Sequence, residues 1–261
     1  MAGLEVRDLR FSYPGRPVLE GLSLSLTAGE FAGFLGPNGS GKSTFLKALL
    51  GFLKPGGGKV VFYNKEPADE VSPKALCRLA AFVPQNPRVN GSFSAGELAL
   101  MGRLPHLANR WAGYSREDRR KAEAAMRSLG IGGLAGRKAD SLSGGELQKV
   151  ILARCLAQEG DIFLLDEATS NLDLNHSIEI MEILREKTAA EGKIVLAVLH
   201  DINLASQYCD KIYLLKEGRL RYQGSPAEVL TEAAVEDIYG IKAAVRKDES
   251  GRPYILPQRR T

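Results

Sequence analysis

The chain is short of cysteine, has no long apolar run and carries little net charge. Its three cysteines, Cys77, Cys155 and Cys209, are odd in number, far apart and outside any C-x-x-C spacing. They exclude a disulfide framework and a structural zinc site, fit a reducing compartment, and read as small packed residues. No apolar run approaches the roughly 18 residues that a membrane-spanning helix needs. The stretch Met1-Ala2-Gly3-Leu4-Glu5-Val6-Arg7-Asp8 carries charge where a secretory signal would have its apolar centre. A soluble, cytoplasmic chain is expected, for which any membrane role needs a partner. Lysine and arginine number 35 against 31 aspartates and glutamates, a net charge of +4. Basic residues are dispersed, apart from Arg116, Arg119, Arg120 and Lys121 and the Arg259-Arg260 pair. No nucleic-acid face is expected from that pattern. Repeats, low-complexity tracts and long linkers are also missing.

With 261 residues, 44% of them apolar, the chain can bury one large core or a core with an inserted lobe. Residues 36 to 44 read Gly-Pro-Asn-Gly-Ser-Gly-Lys-Ser-Thr, a complete G-x-x-x-x-G-K-[ST] loop between an apolar run and an amphipathic segment. Gly36, Gly39 and Gly41 let the backbone curl, so that the N–H groups from Asn38 through Ser40 to Thr44 can face a phosphate. Lys42 is positioned for the β/γ oxygens. The Ser43 hydroxyl, at a helix start, can ligate Mg²⁺. A glycine-rich turn is the bland alternative, and the filled positions in a strand–loop–helix context argue against it. A nucleoside triphosphate ligand is expected.

Leu4, Val6, Leu9 and Phe11, then Leu22, Leu24 and Leu26, alternate around Pro14-Gly15 and predict antiparallel strands ahead of the loop. Phe31 to Leu35 predicts a buried strand, and Phe45, Leu46, Leu49 and Leu50 a helix stopped by Gly51. Val60 to Tyr63 and Leu79 to Val83 are further strand candidates. From about residue 86 to 158 the pattern turns helical, as in Glu97 to Gly102 and Arg116 to Leu129. Alternation then resumes with Ile162 to Leu165, the helix Ser177 to Ala190, Ile194 to Leu199, Asn203 to Tyr208 and Ile212 to Leu215. The expectation is a mostly parallel, three-layer α/β fold with an antiparallel β lip and an inserted helical subdomain.

Asp166 and Glu167 end the apolar run Ile162-Phe163-Leu164-Leu165, the usual place for ligand chemistry in an open α/β sheet. Beside a phosphate loop, Asp166 is positioned to hold Mg²⁺ through water and Glu167 to polarise the attacking water. Alone, the pair could equally face solvent or cap a helix. Leu142-Ser143-Gly144-Gly145-Glu146 opens a helix with apolar positions at Leu147, Val150, Ile151 and Cys155. It presents N–H groups to an anion. With Lys42 already on one side of the bound phosphate, the simplest use is in trans, on nucleotide held by a second copy. In isolation it would be an ordinary helix cap.

With these motifs in this order, nearly the whole chain resembles the ATP-binding subunit of ABC transporters. The resemblance implies a P-loop NTPase (RecA-like) core over residues 1–85 and 159–261 and a helical subdomain over 86–158. It implies ATP and Mg²⁺ as ligands, with Ser43, Gln85 and Asp166 at the metal and Tyr13 stacked on adenine. By the same resemblance, Gln85 contacts the attacking water, Asp173 of Ser170-Asn171-Leu172-Asp173 crosses a dimer interface, and His200 senses the γ-phosphate and orients Glu167. Lys42, Gln85, Glu167 and His200 would carry the catalysis. Two positions depart from the family pattern: Ala168 stands where many relatives have proline, and Lys149 where arginine is common.

Leu100-Met101-Gly102-Arg103-Leu104-Pro105-His106, Asp173-Leu174-Asn175-His176 and Leu199-His200-Asp201-Ile202-Asn203-Leu204-Ala205-Ser206-Gln207-Tyr208-Cys209-Asp210 resemble the subfamily that energises uptake of iron chelates (siderophores), haem and cobalamin. The lone His106 is not a metal site. The resemblance implies a second copy in an ATP-sandwich dimer, integral membrane permease subunits and, indirectly, a periplasmic or lipoprotein solute-binding protein. It places the chain at the cytoplasmic face of the cell membrane. The alternatives are a soluble ABC ATPase in iron–sulfur assembly or nucleic-acid maintenance, and the ATPase of a lipid or drug exporter. About 55 residues without sustained heptads separate Gln85 from Ser141, which argues against the coiled coils of DNA-repair relatives. One loop and one signature argue against the two cassettes of ribosome-acting relatives. The assembly and exporter roles stay open.

Overall fold

The computed structural model describes residues 2–62, 70–87, 89–108, 113–170 and 172–258. Tyr63, Asn171 and the Arg259-Arg260 pair, each singled out above, lie outside the described residues. Two compact units are present: residues 1–71 with 185–261, and residues 72–184.

In the first unit, β1 (Ala2–Tyr13) and β2 (Arg16–Thr27) form an antiparallel hairpin around Pro14-Gly15, with Gly15 at φ 73°. Leu4, Val6 and Leu9 are all buried, although the spacing slips by one between Val6 and Leu9. The slip is a bulge: Asp8 adopts φ 47°, and the pairing shifts there against both neighbours. Strand β3 (Phe31–Leu35) is buried at all five positions, as its continuous apolar sequence requires. After the glycine-rich loop comes α1 (Lys42–Leu49), ended by Gly51 at φ 69°, and then β4 (Gly57–Phe62), which pairs antiparallel with β1.

The second unit begins with α2 (Pro73–Leu79), a helix that no apolar periodicity announces. Ser72 caps it by accepting from Ala75 N, and Pro73 supplies a preset first turn. It runs into β5 (Ala80–Val83), and the helices α3 (Ala95–Leu100), α4 (Arg116–Ser128) and α5 (Gly144–Gln158) follow. Each of these three opens on the same device, a serine and an acid three residues later closing each other's N–H: Ser94 with Glu97, Ser115 with Asp118, Ser143 with Glu146. Strand β6 (Ile162–Asp166) pairs parallel with β5. Helix α5 is tied to β5. Cys155 Sγ donates to Phe82 O at 3.0 Å, and Gln158 Nε2 to Ala80 O at 2.9 Å.

The unit boundary falls inside α6 (Leu174–Glu191), and Gly192 follows at φ 65°. The first unit then resumes with β7 (Ile194–Val198), α7 (Ile202–Tyr208), β8 (Lys211–Lys216) and β9 (Arg219–Gly224). β3 pairs parallel with both β7 and β8, and β8 pairs antiparallel with β9. The fold is of the α/β P-loop class. Phe34 stacks on Phe45 at 4.9 Å, which fixes α1 against β3. Cys209 Sγ fills the space a side chain at Gly33 would take, 3.0 Å from such a Cβ. Cys155 and Cys209 are packed as expected, whereas Cys77 is exposed. The chain continues through α8 (Pro226–Val229) and α9 (Glu232–Tyr239) to a hairpin of β10 (Ala243–Lys247) and β11 (Pro253–Pro257). No helix among the described residues is long and apolar enough to cross a membrane.

Candidate active site

Strand β3 delivers the chain to Gly36, whose backbone passes so close to β8 that a Cβ would lie 2.1 Å from Leu215 O. Asn38 and Gly39 form the exposed tip of the loop, and nothing lies within 4 Å of a Cβ built on Gly39. Lys42 folds back over the loop, its Nζ donating to Gly36 O at 2.8 Å and Pro37 O at 3.0 Å, and only 5% of it is exposed. The first turn of α1 holds Ser43 and Thr44. It has no acid, and Gly41, at φ 108°, offers no side-chain cap. Helices α2 to α5 are all closed by a serine, so α1 alone of these keeps its first N–H groups uncapped by a side chain, an arrangement suited to an anion. Ser40 Oγ is buried without a hydrogen-bond partner among the described residues, a second sign that the loop is completed by a ligand.

Tyr13 ends β1 at 42% exposure, its ring edge-on to Phe11 at 5.0 Å, so one face can receive a planar base. His200 is exposed two residues after the end of β7, and Asp201 next to it caps α7 by accepting from Asn203 N at 2.8 Å and Leu204 N at 3.0 Å.

In the second unit, Asp166 and Glu167 are both buried at the end of β6. Glu167 adopts φ 52°, the left-handed region that a glutamate seldom enters. Ser170 holds it there, donating its N–H at 3.0 Å and its hydroxyl at 2.9 Å to Glu167 O. The Gln85 amide nitrogen donates to Glu167 Oε2, so two of the expected catalytic residues are in contact.

The start of α5 is less bare than its sequence suggests. Ser143 Oγ accepts from Glu146 N at 3.2 Å and Glu146 Oε2 from Ser143 N at 2.7 Å. A capping serine still keeps its own proton for donation, and Gly144 opens on space within 4 Å of which no atom would meet a Cβ. The Ser143 N–H holds the Glu146 carboxyl below its ordinary range, and Arg137 offsets that charge at 2.9 Å. Asp173 accepts from His176 N at 2.9 Å and pairs with His176 Nδ1; the His176 N–H lowers its pKa. Of the two departures from the family pattern, Lys149 pairs with Glu179 at 2.8 Å and Ala168 is buried. Ser170 and Asp201, named above only within longer motifs, and Arg137, which the sequence did not single out, support expected site residues. Only Asp201 carried a signal, an Asx residue ahead of a helix.

Among the described residues no three His, Cys, Asp or Glu side chains gather as a protein-built metal cage. Mg²⁺ held with a nucleotide needs only a few protein oxygens besides phosphate and water. The Ser43 hydroxyl, the Gln85 carboxamide oxygen and the Asp166 carboxylate are hard oxygen donors of that type.

The sequence pattern described as ABC transporter matches residues 19–170. The chain is 36% identical to the ferric enterobactin transport ATP-binding protein FepC of Escherichia coli strain K12, over 100% of this chain and 96% of that protein. It is 38% identical to the hemin import ATP-binding protein HmuV of Thermobifida fusca strain YX, over 98% of this chain and 89% of that one. Among solved structures, a chain of a metal-chelate type ABC transporter in an inward-facing conformation superposes with a TM-score of 0.85. It is 28% identical, over 99% of this chain and 98% of that one.

Proposed function

The chain belongs to the ABC transporter family, and on that premise we propose that it is the ATP-hydrolysing subunit that powers import of an iron chelate, haem or cobalamin across the cytoplasmic membrane. The observation that carries the importer reading is the extent of the similarity. Relatives named for ferric enterobactin and hemin match 98% or more of this chain, including the part beyond residue 170 where the family pattern stops.

The nucleotide would be ATP with Mg²⁺. Tyr13 takes the base, while the N–H groups from Gly36 to Thr44 and the Lys42 ammonium take the phosphates. Mg²⁺, held by Ser43, Gln85 and Asp166, would neutralise charge on the phosphate oxygens. Glu167 accepts a proton from the attacking water, Gln85 and His200 orient the two, and Ser143, Gly144, Gly145 and Asp173 of a second copy close the site. Two copies then shut around two nucleotides and reopen after hydrolysis. ATP can drive that motion only through its preference for the closed state over the open one. The lobe between Gln85 and Ser141 would meet a cytoplasmic helix of the permease subunits, with a solute-binding protein acting on the far side. No nucleic acid takes part.

The test is to tag the chain, solubilise native membranes gently and identify by mass spectrometry what co-purifies. A polytopic membrane protein in about equal amount is expected, and a solute-binding protein encoded beside it would name the cargo. Recovery of soluble partners alone would overturn the importer reading in favour of an assembly or maintenance ATPase.

A further inference from the structure

The hairpin of β10 and β11 pairs Ala243 with Pro257 through Lys247 with Pro253. Its turn is closed by Asp248, which accepts from Ser250 N at 3.0 Å and Arg252 N at 2.8 Å. Two strands alone are marginally stable, so this hairpin depends on what it is anchored to. The anchor is α7. Arg252 Nη1 donates to Ser206 O and, at 3.3 Å, to Cys209 O, at the end of that helix, and the Ser206 hydroxyl donates to Pro253 O. At the other end, Asn203 Oδ1 accepts from Ile255 N at 2.7 Å while its Nδ2 donates to Ile255 O at 3.2 Å. The carboxamide thus stands where a third strand would, satisfying the outward N–H and C=O of one residue on β11.

Helix α7 has seven residues, too few to hold a direction by its own hydrogen bonds, so its tertiary ties set its orientation. His200 lies two residues ahead of it. The links run without a gap from Ile255 to the Asn203 side chain, from Asn203 N to Asp201 Oδ1, and from Asp201 to its neighbour His200. We propose that the C-terminal hairpin is a positioning element for His200, acting through Asn203 as the positioning residue that fixes the first turn of α7. The inference rests on the proposed reading of the chain as an ATPase in which His200 faces the γ-phosphate. It adds that residues more than fifty positions further along the chain help set the rate of the chemical step.

The test is a double-mutant cycle in the full-length chain, reading steady-state kcat, KM for MgATP and affinity for a fluorescent ATP analogue. Asn203→Ala should lower kcat about tenfold with KM and affinity within about twofold, and should cost nothing further in a His200→Ala background. Arg252→Ala, which frees the other end of α7, should act in the same direction and carries the test if Asn203→Ala cannot be purified. A parental kcat in these variants would overturn the inference. So would a loss of equal size with and without His200, or a rise in KM alone. Failure of the underlying reading looks different: the parental chain would itself not hydrolyse ATP, or His200→Ala would be as active as the parent, and the inference would fall with it.

Discussion

The amide nitrogen of Gln85 donates to Oε2 of Glu167, so the carboxylate proposed as the base is already held by the residue proposed to share its water. Glu167 is also fixed through its backbone, in a left-handed conformation secured by two bonds from Ser170. Glu167→Gln keeps the shape and an acceptor for Gln85 but removes the proton acceptor. It should bind ATP, lose about a hundredfold or more in hydrolysis, and accumulate as a closed dimer in MgATP. Rate assays and gel filtration check this; hydrolysis at the parental rate would sink the base assignment.

Ser143 and Glu146 close each other's N–H groups, so what the start of α5 can offer an anion is the Ser143 hydroxyl proton and the glycine N–H groups beside it. Ser143→Arg fills that space with a long cation while leaving Lys42 and the loop untouched. ATP binding should stay within a fewfold of the parent and turnover should vanish. Surviving turnover would mean that no second copy completes the site.

Most of the phosphate loop was legible because its chemistry is local: spacing alone brings Gly36, Lys42 and Ser43 together. The strands were legible for a similar reason, since β3, β6 and β7 are buried at every position and read as apolar runs, broken only by Asp166 at the end of β6. What escaped depends on partners distant in sequence. Nothing at position 85 tells of a bond to residue 167, and nothing at Asn203 tells of Ile255. Helix α2 and the last hairpin escaped because one is short and the other lacks polar–apolar alternation: β11 buries Pro253 and Ile255 but leaves two large side chains, Tyr254 and Leu256, exposed.

Gly36 and Gly39 both have positive φ, at 149° and 78°, yet for different reasons. At Gly36 a Cβ would strike the Leu215 carbonyl at 2.1 Å, whereas at Gly39 it would meet no atom and project into the open space above the loop. Gly36→Ala should therefore cost mainly stability, on the order of 3 kcal/mol or more from strain plus clash. Gly39→Ala should cost about 1–2 kcal/mol in strain and mainly weaken nucleotide binding. Thermal melts and nucleotide titrations separate the two. Parental ATP affinity in Gly39→Ala would show that the open space is not the phosphate cradle.

Arg103, 5% exposed, ties α4 to the end of α5: its Nε donates to Asp118 Oδ1 at 3.0 Å, and its Nη1 to Ala157 O at 2.7 Å and Glu159 Oε2 at 2.9 Å. Hydrogen bonds from Ser115, reinforced by Arg103, hold the Asp118 carboxyl at about 2, against 3.8 for an unperturbed aspartate. The folded pKa is the depressed one, so the ionised carboxylate gives its full stabilisation above about pH 4 and loses it as pH falls through about 2. Protonating Asp118 strips the buried Arg103 side chain of one of its two carboxylate partners. Asp118→Asn should then lower stability by about 1–3 kcal/mol at pH 7 and flatten part of the acid slope between pH 4 and 2. Other carboxylates whose pKa values are also lowered, Glu97, Glu117, Glu146, Glu159 and Asp173 among them, contribute to the slope that remains. Urea unfolding of parent and variant at a series of pH values measures the difference. A gap between them that stays constant down to pH 2 would show that Asp118 is not what links this region's stability to acid.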